Sequence, residues 1–402
     1  WVGAISYDIR LWTEPVLRHT GADGGGAVED RGWPVLEFAR CPGWLLHDNA
    51  TGRWHACGAW RRGGEPDLPA LPPVDAPAMQ WSEPAPHRDA AHHVAAVARA
   101  LDYIAAGDVF QVNLAQRFTS VATPPAPSPR GGGPGRGCPL ASSGRSASPP
   151  GRALYRRLAA ASPAWYGAYL ECPHDPAADA DRRAILSTSP ELFLDTEPVG
   201  RVVTRPIKGT RPAAVDLTQL RDSVKDAAEL HMIVDLMRND LGRVCACGSV
   251  RVDAPRDIES HPTVHHGVAT ISGQLHHRFD VIDLLRATLP AGSVTGAPKV
   301  RAMQIIDALE PVARGPYCGA IGAIDATTFP HPALTLSVAI RTMLLRATPS
   351  TATVDFSVGG GIVADSDPTA EHRETLDKAA AMLAALRPEE PQISQRHADD
   401  EA

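Results

Sequence analysis

Two strand-like runs, "ALTLSVAIRTMLL" (333–345) and "ATVDFSVGGG" (352–361), follow one another with no helical stretch between them. Apolar and polar residues alternate in both, the period of half-buried strands. A parallel pair needs a crossover of about a dozen residues or more, which this short gap does not supply. The runs therefore form a hairpin. "VFQVNLAQRFTSV" (109–121) alternates in the same way, and "WVGAISYD" opens the chain as a strand. Hairpins and helices are mixed without a βαβ repeat, so the expected class is α+β.

Helical spacing places Val94, Val97, Leu101 and Ile104 on one face of a helix that stops at Gly107. "RALYRRLAAA" reads as a second helix, and a long helical stretch runs from Leu217 to Gly242. Thr295 is the expected N-cap of "SVTGAPKVRAMQIIDAL", with Pro298 in its first turn. The last helix, "PTAEHRETLDKAAAMLAAL", is expected to be capped near Thr369 and to bury Leu376, Ala379, Leu383 and Leu386. Turn clusters such as "GADGGG" and "DNATG" punctuate residues 1–60. A first lobe at 1–75, its start truncated, leads through a Pro-rich connector (66–78) to a catalytic domain at 88–386. Residues 123–151 are nearly all Pro, Gly, Ser and Arg and read as a disordered insertion in that domain. A polar tail occupies 387–402.

A net charge of -7, from 39 Lys+Arg against 46 Asp+Glu, argues against sequence-independent binding to nucleic acid. No apolar run approaches the roughly 20 residues that cross a bilayer. Seven scattered cysteines fit a reducing compartment better than a disulfide framework, so the expectation is a cytoplasmic enzyme.

Chemistry is suggested at several places. In "TRPIKGTRP" (204–212), Lys208 lies between the bends of Pro206 and Gly209, with Arg205 and Arg211 making its surroundings cationic. Asp226 and Glu229 are three apart on one helix, as are Glu371 and Glu374 on another. Carboxylates gathered from two helices suit a hard cation such as Mg²⁺, although solvated helix surface with a Glu374–Lys378 pair is the ordinary reading. Gly359, Gly360 and Gly361 end a strand and free backbone N–H groups to meet an anion. Arg341, inside an apolar strand, calls for a carboxylate. "GSVTGAPK" fails the phosphate-loop register, having no Ser or Thr after Lys299. His261, His265, His266, His276 and His277 lack a cysteine pair, and one site-facing histidine, His266, is a better reading than zinc.

These stretches resemble the chorismate-utilising enzymes, in particular component I of aminodeoxychorismate synthase. The resemblance is carried, in order, by "DVFQVNLAQRF", "STSPELFL", "TRPIKGTRP", "AELHMIVDLMRNDLGRV", "HPTVHHGVATISGQL", "GSVTGAPKVRAMQIIDALEP", "RGPYCGAIGAI" and "GGGIVADSDPTAEHRETLDKA". It implies two face-to-face, mostly antiparallel sheets flanked by helices. It further implies that Glu229 and Glu374, with Asp226 and Glu371 beside them, hold Mg²⁺ against the ring carboxylate of chorismate. Arg341, Tyr317 and Gly359–Gly361 would receive the enolpyruvyl carboxylate, with Lys378 also on the substrate. Gly209, Thr210 and His266 would line the ring near its C4 hydroxyl, and Glu191 would be a buried acid/base.

Within the family, isochorismate and salicylate synthases carry a lysine base where Gln111 stands here, and anthranilate synthases typically carry alanine where Lys208 stands. Lys208 is therefore the implied nucleophile of a C4 amination that yields 4-amino-4-deoxychorismate, for p-aminobenzoate and folate. The alternatives are anthranilate synthase component I and a non-catalytic chorismate-binding subunit. No Gly-x-Cys-x-Gly elbow occurs, so ammonia is expected from a separate glutamine amidotransferase subunit.

Overall fold

The computed structural model describes residues 1–19, 27–48, 53–58, 79–123, 150–172, 182–261, 264–328, 330–348 and 351–387. The Pro-rich connector, the interior of the Pro/Gly/Ser-rich stretch, the "GADGGG" turn, most of "DNATG" and the tail from 388 onward lie outside the described residues.

Among the described residues the strands form a nine-stranded sheet, an eight-stranded sheet and one two-stranded hairpin. Their pairings are antiparallel throughout. The larger sheet runs Ile207–Pro212, Val264–Gln274, Arg201–Arg205, Leu192–Thr196, Ala333–Val338, Ala320–Asp325, Val2–Ile5, Leu36–Ala39, with Arg251–Ser260 beside Val264–Gln274. The other runs Gly296–Ala297, Gln111–Thr123, Ala352–Ile362, Thr342–Ala347, Arg182–Ser189, Tyr166–Glu171, with two short strands on Gln111–Thr123. This is the expected α+β class, with every long strand run finding an antiparallel neighbour.

Two apolar runs each supply a strand to both sheets. Arg182–Ser189 lies in one sheet and Leu192–Thr196 in the other; Ala333–Val338 and Thr342–Ala347 are divided in the same way. Arg341 is consequently not inside a strand. It stands at the break with φ 49°, one of two non-glycine residues at positive φ among those described. The two crossing points are tied together: the Val338 amide donates to Glu191 O at 3.1 Å and the Thr188 amide to Arg341 O at 3.1 Å.

Each sheet packs its own helices. Leu230, Ile233, Met237 and Leu241 of helix Val224–Gly242 meet Phe193, Leu194, Ala269 and Ile271 of the nine-stranded sheet. Full burial of such side chains stabilises by about 1.5–3 kcal/mol each. Leu154, Leu158, Ala379, Met382 and Leu386 cover the eight-stranded sheet. Ala4 and Ile321 meet Ile185 and Leu344 between the sheets, which face each other there.

Several helix ends differ from the sequence reading. The stretch 217–242 is two helices, Leu217–Arg221 and Val224–Gly242, the second capped by Ser223, whose Oγ accepts from Asp226 N at 3.2 Å. Pro298 itself precedes helix Lys299–Leu309, while Thr295 turns its hydroxyl back to Ala291 O. Asp367 caps Pro368–Leu386, because it accepts from Ala370 N and leaves Thr369 within the first turn. Leu376 is 39% exposed, whereas Ala379 and Leu386 are buried as expected.

Candidate active site

Lys208 owes its direction to a bulge. Ile207 pairs with Val268 and Thr210 with His266, so three steps on one strand face two on the other. The extra residue is accommodated by Gly209 at φ 80°, a conformation that disfavours side chains. A Cβ there would also lie 2.7 Å from Leu220 Cδ1 and 3.0 Å from Asp226 Cγ. The re-aimed lysine reaches Gly361 of the neighbouring sheet. A Cβ on Gly361 would sit 3.1 Å from Lys208 Nζ and 2.6 Å from Gln111 Nε2.

Burial pushes the Lys208 pKa down, and the charge of Lys378 adds to it, against the pull of Glu229, Glu191 and Glu374. The flanking arginines do not supply this effect. Arg205 is hydrogen-bonded to Glu259, and Arg211 Nη2 donates to Asp226 Oδ2 at 2.7 Å. Desolvation alone favours the neutral amine.

The four acidic positions divide into two kinds. Asp226 is engaged by Arg211, and buried Glu371 accepts from Ser366 Oγ at 2.6 Å. Glu229 and Glu374 have lysines instead: Lys225 at 4.0 Å and Lys378 at 2.8 Å. Burial raises the Glu229 pKa, and repulsion from Asp226 and Glu374 adds to it while Lys208 and Lys225 oppose it. Burial acts the same way on Glu374, but Lys378, with Lys225 and Lys208 behind it, wins and holds that pKa low. Among the described residues no three ligating side chains form a metal group by themselves. Two carboxylates on two helices, mutually repelling, nevertheless suit Mg²⁺, which takes one or two carboxylates and completes its shell with water and substrate oxygens. The residues fit the ion in that open form.

The glycine run lies, as expected, at the end of a strand, Ala352–Ile362. Gly359, Gly360 and Gly361 pair with Ala115, Leu114 and Asn113. Their contribution is room: a Cβ on Gly360 would lie 3.3 Å from Glu371 Oε2 and 3.5 Å from Lys378 Nζ. Lys378 Nζ donates to Gly359 O at 3.1 Å, so the expected Glu374–Lys378 pair also anchors the glycine strand.

Glu191 stands at the sheet crossing, buried, and burial pushes its pKa up to about 7 against Ser293, Lys208 and the Ile207 amide. His266 Nδ1 lies 2.9 Å from Thr210 Oγ1. Burial and then Arg341 drive the His266 pKa down to about 3, so the ring is neutral at ordinary pH. Burial lowers the Arg341 pKa, and this guanidinium has no ion pair among the described residues. A buried guanidinium of this kind is suited to a carboxylate. Tyr317 is buried beside Cys318 and Arg314, and Cys318 in turn feels Glu191. Cys318 stands at a turn with φ 62°.

One contributor carries no sequence signal as a site residue of its own: Ser293, in "GSVTGAPK", restrains Glu191. Gln111, marked by the resemblance as the position of a lysine base in relatives, is fully buried with both amide atoms unpartnered. It shares with Lys208 the space left open at Gly361.

Comparison with known proteins gives this cluster a context. The family model described as chorismate binding enzyme matches residues 143–384. Aminodeoxychorismate synthase component 1 of Klebsiella aerogenes is 41% identical over 291 residues, covering 71% of this chain and 55% of the relative. Anthranilate synthase component 1 of Synechocystis sp. is 40% identical over 303 residues, covering 72% of this chain and 52% of the relative. The chain thus spans about half the length of the curated relatives it matches. The crystal structure of anthranilate synthase component I from Streptococcus pneumoniae superposes with TM-score 0.70 at 29% identity, covering 95% of this chain and 80% of that one. The chain belongs to the chorismate-binding enzyme family.

Proposed function

We propose that this chain aminates chorismate at C4 with ammonia, giving 4-amino-4-deoxychorismate for p-aminobenzoate and folate synthesis in the cytoplasm. The observation that carries the reading is the buried Lys208, bulged out toward Gly361 with its pKa depressed. An unperturbed lysine is only about one part in a thousand neutral near pH 7.4, so burial that lowers the Lys208 pKa enlarges the fraction able to attack. A neutral Lys208 amine attacks C2 as the C4 hydroxyl departs as water, both conjugated ring double bonds moving one place (C1=C2 to C1=C6, C5=C6 to C4=C5). Ammonia then adds at C4 and expels the lysine, which leaves as the free amine. The sum is chorismate plus ammonia to aminodeoxychorismate plus water. Covalent catalysis thereby splits one difficult displacement into two.

Glu191, with its pKa about 7, carries the proton delivered to the departing hydroxyl. Neutral His266, with Thr210 and Gly209, lines the ring at that hydroxyl. Arg341 and the glycine strand receive the enolpyruvyl carboxylate, with Tyr317 and Lys378 flanking. Mg²⁺ bound by Glu229 and Glu374, supported by Asp226 and Glu371, would neutralise the ring carboxylate. Ammonia would come from a glutamine amidotransferase subunit.

A second reading, amination at C2 as in anthranilate synthase, is favoured by the nearly equal identity to both kinds of relative. Product identification by mass and retention time, with chorismate, Mg²⁺ and ammonium salt, separates them. Para product lost in Lys208→Ala supports the C4 reading; para product at the wild-type rate in that variant overturns the nucleophile. Exclusively ortho product from the wild type overturns the C4 assignment.

A further inference from the structure

One guanidinium joins three segments around the candidate active site. Arg314 is 3% exposed, and each of its three nitrogens donates a hydrogen bond. Nε and Nη2 hold the two oxygens of Glu310, at 2.9 and 2.6 Å. Nη1 donates to Val294 O and Nη2 to Asn113 O, each at 2.8 Å. Glu310 Oε1 in turn accepts from Ala115 N at 2.9 Å.

Both carbonyls belong to segments that border the site. Val294 follows Ser293, which restrains Glu191. Asn113 pairs with Gly361, the residue beside Lys208 Nζ, and lies two residues after Gln111. The two segments also meet each other. Asn113 N donates to Thr295 O at 2.7 Å, and Gly296–Ala297 pairs with Gln111 and Val112.

The guanidinium is itself seated on an aromatic ring from the start of the chain. Arg314 Cζ lies 4.6 Å from the ring centroid of Tyr7, and Arg10 Cζ lies 5.3 Å from it. Tyr7 is 1% exposed and its hydroxyl has no hydrogen-bond partner, so the ring is what the cation meets. Neighbouring groups fix that ring. Tyr7 N donates to Gly315 O at 2.9 Å, and Gly315 N donates to Asp8 Oδ2 at 3.0 Å. Arg10 grips both oxygens of Asp307, at 2.7 and 2.5 Å.

We infer that Arg314, seated on Tyr7, is a positioning residue for the amination proposed above, a reading on which this inference rests. It acts through Val294 O and Asn113 O rather than on the substrate. Its planar fork holds the Ser293 turn against the Gln111 strand, and with them the surroundings of Glu191 and Lys208. Arg341, Glu229 and Glu374, which would receive the carboxylates, stand on other elements, so loosening the fork disturbs the reacting groups more than substrate binding. A lysine at 314 keeps a charge opposite Glu310 but lacks the fork that spans both carbonyls.

The test pairs steady-state kinetics with amide hydrogen exchange on the whole chain, using Arg314→Lys, Tyr7→Leu and Tyr7→Phe. Chorismate consumption is followed with Mg²⁺ and ammonium salt, whichever isomer forms. Arg314→Lys should lower kcat at least about tenfold and Tyr7→Leu at least about threefold, with KM for chorismate within about threefold of wild type. Tyr7→Phe keeps the ring and should match the wild type. In the first two variants exchange should quicken in peptides covering 111–115 and 292–297. It should stay unchanged in Thr342–Ala347, a strand that pairs with neither segment. Unchanged kcat in a folded Arg314→Lys, equal losses in Tyr7→Leu and Tyr7→Phe, or a loss carried wholly by KM would overturn the inference. So would unchanged exchange at 111–115 and 292–297, or quickening throughout the chain, which marks a merely structural role. A wild type that consumes no chorismate overturns the amination reading and the inference with it; an active wild type with unaffected variants overturns the inference alone.

Discussion

Replacing Glu191 by Gln should change how stability depends on pH. The carboxyl is 4% exposed and its pKa rises from 4.5 to about 7 on folding. The folded protein therefore binds this proton more tightly than the unfolded chain. Its stabilising contribution is fully present below the unfolded value and is lost as pH rises through about 7. With these two values the linkage relation gives a loss of about 2–3 kcal/mol between about pH 5 and about pH 8. Glutamine keeps the volume and carries no titrating proton. Urea melts of wild type and Glu191→Gln at several pH values across that interval measure the effect, other titrations cancelling in the difference. The wild type should lose about 2–3 kcal/mol relative to the variant, with most of the change centred below about pH 7. A stability difference that stays flat across the interval would refute the reasoning. Turnover of the variant should fall at least about a hundredfold if Glu191 supplies the proton.

Gly361→Ala should preserve the fold but cut kcat about tenfold to a hundredfold, because the new methyl meets the movable ends of Lys208 and Gln111. Unchanged kcat would show that Lys208 does not work from this position. Glu229→Gln and Glu374→Gln should each lower turnover at least about a hundredfold and weaken activation by Mg²⁺; full activity in excess chelator would dispose of the metal. The pH profile of turnover should be bell-shaped, with its acid limb set by deprotonation of Lys208 and its alkaline limb by loss of the Glu191 proton at about pH 7. A profile that Glu191→Gln leaves untouched would remove Glu191 from it. With glutamine as the nitrogen source, the pure chain should show no turnover without an added amidotransferase; appreciable glutaminase activity would contradict the two-subunit reading.

The chemistry was legible in residue types, and its placement was not. Lys208 and Gly209 can be singled out from nine residues, but the bulge that turns the lysine needs the register of Val264–Gln274 beside it. The flanking arginines illustrate the limit: their carboxylate partners, Asp226 and Glu259, come from other elements, so local charge misjudged the field at the lysine. Arg341 was readable as an unpaired cation, yet alternation of apolar residues continues across the break at which it stands. Period-two patterning does not record that a strand changes sheet. The split of 217–242 at Ser223 was visible in principle as a capping serine inside an apolar pattern. Orphaned groups such as Gln111 and the Tyr7 hydroxyl are defined by what fails to pack near them, which local sequence does not encode.

The strand Val2–Ile5 is seated between Ala320–Asp325 and Leu36–Ala39, and the Trp1 amino group donates to Ile324 O, 323 residues away. Biosynthesis gives this arrangement a timetable. At about 5–20 residues per second, the ribosome needs on the order of tens of seconds to deliver the partner strand. Until then an apolar strand with an open edge waits in solution, a template for pairing with other chains. The nine-stranded sheet cannot close on a nascent chain, and closure is a late, long-range step that is slow for reasons of loop entropy. Yield in a heterologous host should thus be governed by what shields Val2–Ile5 during synthesis, chaperone supply and low temperature above all, more than by the stability of the finished sheet.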